Sequence, residues 1–191
     1  NNWMHRNLIL AGNFNMTNSK ELFESLVEIG QHPKEYTDTV IIMEEIGHFL
    51  DNSVRKIRKD LKKIELSKDE ITKKISKKLD VFKILKKASK KWDGGYVIGG
   101  LLGHGDSFVI RDPNGIRPAF YYKDDEVVVV ASERPAIQTA FNVDINKINE
   151  LKSGDAIVIK NNGEVTIKNV RKAKENKSCS FERIYFSRGN D

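Results

Sequence analysis

The stretch WDGGYVIGGLLGHGDSFVIRDPNGIRPAFYYKDDEVVVVASERPAIQTAF, residues 92–141, decides the fold. Apolar and polar residues alternate in it with a period of two, and Gly, Asp and Asn cluster between the alternating runs. This pattern is typical of antiparallel strands joined by tight turns. The runs AIVIKNN at 156–162 and EVTIKNV at 164–170 continue it, while RPAIQTAF at 134–141 predicts one short helix.

The first half of the chain has a different periodicity. NLILA at 7–11 predicts a short buried strand, and GNFNMTN at 12–18 predicts a polar turn that leads into a helix. Apolar residues then recur at helical spacing in two helices, the second of which ends near Asn52, and more amphipathic helices follow over 53–91. Helices followed by a block of strands indicate an α+β domain rather than alternating βαβ units.

Composition excludes several classes of protein. The 191 residues suffice for one domain with its own core, and 39% hydrophobic with 31% charged residues suits a soluble globular protein. Cys179 is the single cysteine, so no internal disulfide is possible, and the four histidines show no zinc-type spacing. No apolar run is long enough for a membrane span. We therefore expect a cytoplasmic protein that does not bind a membrane. The absence of an initiator methionine suggests a piece of a longer chain.

The net charge of +6 is concentrated in one segment. Residues 55–91 contain sixteen Lys or Arg against five Asp or Glu, so the rest of the chain is net negative. Nucleic-acid binding would need these cations to converge with aromatic or arginine readers, and the segment holds one phenylalanine and two arginines. Solvated amphipathic helices are the favoured interpretation, followed by contact with a neighbouring subunit or another domain. We expect no nucleic-acid partner.

Two turn-rich motifs contain residues that ligand sites use. The glycine-rich run at 93–106 lacks the spacing of a phosphate-binding loop and falls inside a predicted strand pair, where glycine usually permits close packing. RDPNGIRP at 111–118 contains the residues of a tight turn. Its arginines, Arg111 and Arg117, could pair with a carboxylate, most simply that of Asp112 or a neighbour. A rigid structural turn is favoured over a ligand site.

Residues 92–141, together with LKSGDAIVIK and CSFERIYFSRG, resemble the glutaminase domain of the glutamine phosphoribosylpyrophosphate amidotransferase (amidophosphoribosyltransferase) family. That family carries an RDPNGIRPL turn, an ASES strand, a PGEAI strand and a CxFExxYFARPDS segment in the same order. The resemblance spans about 7–50 and 92–191. It implies a four-layer αββα sandwich of the N-terminal-nucleophile hydrolase type, which here lacks its N-terminal strands and carries a helical insertion.

The resemblance also implies a domain plan and a reaction. Residues 1–176 would form the class II glutaminase domain, 53–91 its lysine-rich insertion, and 177–191 the start of the junction to a missing phosphoribosyltransferase domain. In the family, an N-terminal cysteine attacks the carboxamide of glutamine and releases ammonia. The ammonia converts phosphoribosyl pyrophosphate to 5-phosphoribosylamine, the first step of de novo purine synthesis. Glutamine, phosphoribosyl pyrophosphate and further copies of the parent chain are therefore the expected partners.

Site residues follow from the same resemblance. LAGNFNMTN at 10–18 matches the family's LAHNGNLTN, which implies that the side-chain amide of Asn13 stabilises the oxyanion. Phe14 then takes the place of the glycine whose backbone N–H is the second donor, and Gly12 takes it if the alignment slips. The alternative is that this segment is only a polar turn that caps the following helix and has no part in catalysis. Asp38 in TDTV matches the aspartate that pairs with the α-ammonium of glutamine, and a role as helix N-cap is compatible with that.

The family's nucleophile and metal sites have no counterpart in this sequence. Cys179 matches a cysteine that in some members binds an iron–sulfur cluster, but a buried structural thiol is the better interpretation. We expect no cofactor or metal in this chain, Mg²⁺ in the missing transferase domain, and an iron–sulfur cluster at most in the parent. Without the N-terminal cysteine the chain alone should be inactive. Two alternatives stay open: a class II amidotransferase with another acceptor, and a degenerate module for binding or assembly.

Overall fold

The structure is a computed structural model that describes residues 4–61, 66–182 and 184. Most of the predicted junction at 177–191 therefore lies outside the described residues, as do 62–65 of the lysine-rich segment. The helices are α1 (Ser19–Glu28), α2 (Asp38–Leu61), α3 (Lys68–Lys78), α4 (Val81–Ala88) and α5 (Arg134–Phe141). The strands are β1 (Leu8–Met16), β2 (Gly94–Leu102), β3 (Ser107–Arg111), β4 (Phe120–Lys123), β5 (Val128–Ala131), β6 (Asn149–Glu150), β7 (Asp155–Ile159) and β8 (Val165–Asn169).

The strands form two antiparallel sheets. The larger has the order β1-β2-β3-β7-β8 and the smaller the order β5-β4-β6. All pairings are antiparallel, with β1 and β2 matched over nine positions from Leu8–Leu102 to Met16–Gly94. The predicted α+β class with antiparallel strands is confirmed, and so is the helix predicted at 134–141.

The two faces of the larger sheet pack against different partners because side chains alternate along each strand. Even-numbered residues such as Ile98 and Ile110 join the main core, which the helices α1–α4 complete. Odd-numbered residues such as Val97 and Val109 belong to a second cluster with residues of the smaller sheet. A third cluster joins the remaining face of the smaller sheet to Ile137 of α5 and includes Phe120 and Tyr122 of β4.

Two predicted boundaries in the first half are wrong. GNFNMTN is mostly strand, because Phe14 and Met16 pack inward on the core while β1 stays in register with β2 as far as Met16. The strand is only half-buried, since Ile9 on its outer face is 67% exposed. Helix α2 does not end near Asn52 but continues to Leu61, because Val54 and Leu61 extend its buried stripe. Residues 53–61 therefore continue α2, and the insertion at 53–91 stays a prediction.

The RDPNGIRP turn is structural, as predicted, and of the two predicted kinds of partner Arg111 has a neighbouring carboxylate, that of Glu150, rather than Asp112. Asp112 is fully buried and accepts backbone N–H groups of Tyr96, Asn114, Ile116 and Arg117. Arg111 does not pair with Asp112. Its guanidinium donates to Glu150 at 2.7 Å and to three backbone carbonyls, those of Gly115, Arg117 and Leu151. This buried network fixes the turn between β3 and β4.

Candidate functional site

Asn13 lies on the outer face of β1. Its side chain is exposed, and its amide Nδ2 donates to Oε1 of Glu182 at 3.3 Å. Phe14 points the other way and packs against the main core. The alternation of β1 thus presents the Asn13 carboxamide to solvent and buries the phenyl ring beneath it.

Backbone donors are available on the open edge of β1. The N–H of Thr17 donates to the carbonyl of Asp93, so odd-numbered residues of β1 exchange hydrogen bonds with β2. Even-numbered N–H groups therefore point away from β2, and that of Met16 donates to Asp38 at 2.8 Å. The N–H of Phe14 points to the same edge. Among the described residues Asn142 is the only non-glycine with a positive φ, so Phe14 adopts an ordinary backbone conformation.

Gly12 has a packing reason to be glycine. A Cβ at this position would lie 2.4 Å from the carbonyl oxygen of Val97 on β2. By the same alternation its N–H also points to the open edge. The structure thus offers the N–H of both Phe14 and Gly12, and the choice between them stays a prediction.

Asp38 connects the first turn of α2 to the end of β1. One carboxylate oxygen accepts the N–H of Met16 and the other accepts the hydroxyl of Ser19. The hydroxyl of Thr37 accepts the N–H of Val40 at 3.3 Å, so Thr37 takes the capping role. Asn13 is three residues before Met16, about 10 Å along an extended strand. A neutral amide donor, open backbone N–H groups and a carboxylate therefore share one end of β1.

Glu182 completes this region, and sequence reasoning missed it. Its side chain is only 10% exposed and forms an ion pair with the guanidinium of Arg117. The same oxygen, Oε1, accepts the amide of Asn13. The CSFERIYFSRG segment carries Glu182 as part of a recognisable motif, but nothing in the sequence indicates which side chains it meets.

Cys179 is half-buried rather than buried. Its backbone N–H donates to the carbonyl of Ile116 at 3.1 Å, which holds the C-terminal segment against the RDPNGIRP turn. Because it is the sole cysteine, this chain offers one thiolate at most to a cluster. Within the described ranges no group of three or more His, Cys, Asp or Glu could hold a metal ion. The helices of those ranges likewise include none with the length and apolarity of a membrane span.

A family model described as glutamine amidotransferases class-II matches residues 10–183. The chain belongs to this family. The match includes Asn13, Asp38 and Glu182, and the fold agrees with it: the structure of glutamine phosphoribosylpyrophosphate amidotransferase from B. subtilis, complexed with ADP and GMP, superposes with a TM-score of 0.63 at 23% identity. That superposition covers 96% of this chain and 33% of the B. subtilis chain.

The relatives within the family are amidophosphoribosyltransferases. The Pasteurella multocida enzyme is 29% identical over 187 residues, and the Escherichia coli enzyme 28% identical over 188 residues. Each of these matches covers 95% of this chain and 33% of the relative. The Saccharomyces cerevisiae enzyme is 34% identical over 117 residues, which is 57% of this chain and 22% of that protein. The chain thus spans about a third of the length of the bacterial relatives.

Proposed function

We propose that this chain is the glutaminase domain of an amidophosphoribosyltransferase and supplies ammonia for the formation of 5-phosphoribosylamine. The class II match over residues 10–183 and the shared name of the relatives support the assignment. The fold supports a four-layer αββα sandwich, since one hydrophobic cluster joins the helices to the larger sheet and another joins α5 to the smaller sheet. The geometry at the end of β1 carries the proposal.

The residues at the end of β1 divide the work of holding glutamine. The carboxylate of Asp38 takes the α-ammonium group, because it is anionic and already fixed to the backbone of Met16. The amide of Asn13 and the N–H of Phe14 receive the carboxamide oxygen, where negative charge develops when a nucleophile attacks. Neutral donors held by a strand suit this task because they need no rearrangement as the charge appears.

The nucleophile comes from outside these residues in this proposal. The family uses the thiol of an N-terminal cysteine, whose own amino group removes the proton. Cys179 cannot do so, because it is an internal residue in the C-terminal part of the chain. The 191 residues alone are therefore expected to be inactive. Mg²⁺, an iron–sulfur cluster, a homo-oligomer, a cytoplasmic location and the domain bounds 1–176 and 177–191 stay predictions.

The test is glutaminase activity in the protein that carries this chain together with its nucleophile. Asn13→Ala should lower kcat on the order of a hundredfold or more, the usual cost of one oxyanion donor. Asn15→Ala is the matched control, because Asn15 is exposed on the same strand and has the same side chain. An active protein in which both variants behave alike would contradict the site, and an inactive parent would favour a degenerate module.

The degenerate module is the second candidate, and Phe14 in place of glycine was the observation that favoured it. The structure weakens that observation, because Phe14 has an ordinary strand conformation and its N–H points to the open edge. A class II amidotransferase with another acceptor is the third. The relatives' shared name favours phosphoribosyl pyrophosphate as acceptor substrate over that alternative.

A further inference from the structure

The outer face of α2 borders a cleft beside Leu8, the first residue of β1, at the opposite end of the strand from Met16. The first part of the cleft has a volume of about 660 Å³ and lies between α2, the end of α1 and the turn before β1. A second part of about 600 Å³ continues from it along α2. Leu8 is the cleft residue that belongs to β1, and it lies five positions from Asn13, about 16 Å along the strand. The lining of the cleft contains neither Asn13 nor Asp38, so the cleft shares no residue with the proposed glutamine site.

Positive charge is concentrated at one end of this cleft. The second part is lined, among the described residues, by five cations and no acid: Arg6, Arg55, Lys56, Arg58 and Lys59. Asp51 contacts two of them, Arg6 at 3.3 Å and Arg55 at 3.7 Å, with one carboxylate oxygen each. One carboxylate cannot neutralise two guanidinium groups, so this end of the cleft has a net positive charge. Burial first, and then Arg6, His104 and Arg58, lower the pKa of the nearby His5 against an opposing effect of Asp51.

Helix α2 aligns these groups in a row. Met43, Gly47, Asp51, Arg55 and Lys59 recur every fourth position, about 6 Å apart along the helix axis. Lysines and arginines near the C-terminal end of a helix are also favoured by its dipole. The row thus begins with the apolar side chain of Met43, passes Gly47, which has no side chain, and ends at the exposed cations Arg55 and Lys59.

Gly47 keeps the floor of the cleft open. Glycine in the interior of a helix is less favourable than alanine. Close packing does not require it, because a Cβ at Gly47 would have no other atom within 4 Å. The missing side chain instead leaves space in the cleft, between the hydrogen-bonding side chains of Gln31 and His48 and the exposed Ile29 and Met43.

The polar walls are held in place. The ring of His48 contacts the amide of Gln31 at 3.4 Å through Nδ1 and the amide of Asn52 at 2.8 Å through Nε2. These three side chains fix one another and present hydrogen-bonding groups beside Gly47. A cleft of a few hundred Å³ with a few positioned polar groups is typical of small-molecule sites.

We propose that this cleft binds a small phosphorylated metabolite. The phosphate group lies against Arg55 and Lys59, because arginine and lysine are the side chains that bind phosphate best. The uncharged, hydroxyl-bearing body lies over Gly47, within reach of Gln31 and Asn52. Bare charge attraction would hold any anion, whereas the polar groups beside Gly47 favour an ester whose uncharged body fills the cleft next to Arg55.

Calorimetric titration of the protein with glucose 6-phosphate, and separately with inorganic phosphate, tests the site at low salt. The ester should bind at least tenfold more tightly than inorganic phosphate. The double variant Arg55→Gln with Lys59→Gln removes two positive charges and should weaken binding of the ester at least tenfold. The matched control is Lys73→Gln with Lys77→Gln, which removes the same charge at the same spacing on exposed positions of α3 and should change binding less than twofold.

The Gly47→Leu variant tests whether binding of the ester requires the open cleft or only the charged surface beside it. Leucine is a good helix former, so this variant should fold and unfold at a higher temperature than the wild type. It should nevertheless weaken binding of the ester at least tenfold and leave binding of inorganic phosphate unchanged. The proposal is overturned if neither probe binds at 10 mM, which is on the order of the weakest useful affinity. It is equally overturned if the α3 control weakens binding as much, or if a folded Gly47→Leu binds the ester normally.

Discussion

The carboxylate of Glu182 accepts a hydrogen bond at 3.3 Å from the side-chain amide of Asn13, 169 positions earlier in the chain. The same oxygen forms the ion pair with Arg117. The C-terminal segment thereby fixes the orientation of the amide that we propose as oxyanion donor.

Glu182→Ala should therefore lower kcat of the glutaminase reaction about tenfold and leave KM for glutamine nearly unchanged, because a freely rotating amide donates less well to a developing charge. Steady-state kinetics on the parent protein measure both constants. Glu175→Ala is the control, since Glu175 is an exposed glutamate of the same segment. Equal kcat values in the two variants would show that Glu182 does not position Asn13.

Asp38 combines a structural and a substrate role, and two substitutions separate them. Asp38→Ala removes the acceptor of the Met16 N–H in a partly buried region and should lower the free energy of unfolding by about 1–3 kcal/mol. Asp38→Asn keeps an acceptor oxygen and should cost less stability. Both variants lose the charge and should raise KM for glutamine at least tenfold. A stable Asp38→Asn with unchanged KM would remove Asp38 from the substrate site.

Glu45 should make stability depend on pH. Its carboxyl is buried and accepts the indole N–H of Trp92, and burial raises its pKa from 4.5 to about 7, against smaller opposing effects of Trp92 and Lys91. A raised pKa means that the folded state holds the proton more tightly. The stabilisation is therefore complete below pH 4.5 and is lost as pH rises through 7.

Glu45→Gln removes this titration while keeping an oxygen for Trp92. The free energy of unfolding of the wild type, minus that of the variant, should fall by up to about 3 kcal/mol between pH 4.5 and pH 8. Urea unfolding at several pH values measures it, and other titrating groups cancel in the difference. A difference independent of pH would show that Glu45 titrates normally.

Asp106 should make stability depend on pH in the opposite sense to Glu45. Burial alone would raise its pKa, but the ring of His104 at 3.0 Å and hydrogen bonds from Lys160 and the backbone of Asn161 outweigh burial and lower the pKa to about 2. The stabilisation is therefore present above pH 4 and is lost as pH falls through 2.

Asp106→Asn should reduce the free energy of unfolding by about 2 kcal/mol at pH 7, and the deficit should disappear as pH falls from 4 to 2. Denaturant unfolding of both proteins across that range gives the comparison. Asp125→Asn, at an exposed turn position, should show no such dependence. If the deficit persisted at pH 2, the charge of Asp106 would not be its cause.

Local signals explain what the sequence predicted well. The helix predicted at 134–141 has those bounds in the structure, where Pro135 lies in its first turn and Asn142 ends it with φ of +50°. The strands after residue 92 carry their own alternation and turn residues. The RDPNGIRP turn was predicted to be structural because its residue types favour a tight turn by themselves.

Boundaries set by distant partners were missed. Asparagine and glycine made 12–18 a predicted turn, whereas pairing with β2 and the acceptor Asp38 hold it as a strand. The sequence left the carboxylate partner of Arg111 open between Asp112 and a neighbour, and the fold brings Glu150 to it. Asn13 and Asp38 entered only through resemblance to a family, and Glu182 could not be placed without the fold.

Within the described residues, strand β1 leaves one edge of the larger sheet open to pairing with another chain. Within the described chain it is an edge strand, it contains no charged residue, and its backbone donors face outward. Natural proteins usually protect such edges with lysine, proline or a bulge, because an open edge pairs with the strand of another molecule. A site that offers backbone N–H groups to a substrate cannot use that protection fully. By occupying the N–H of Met16, Asp38 blocks one end of the edge and leaves open the part that glutamine would need.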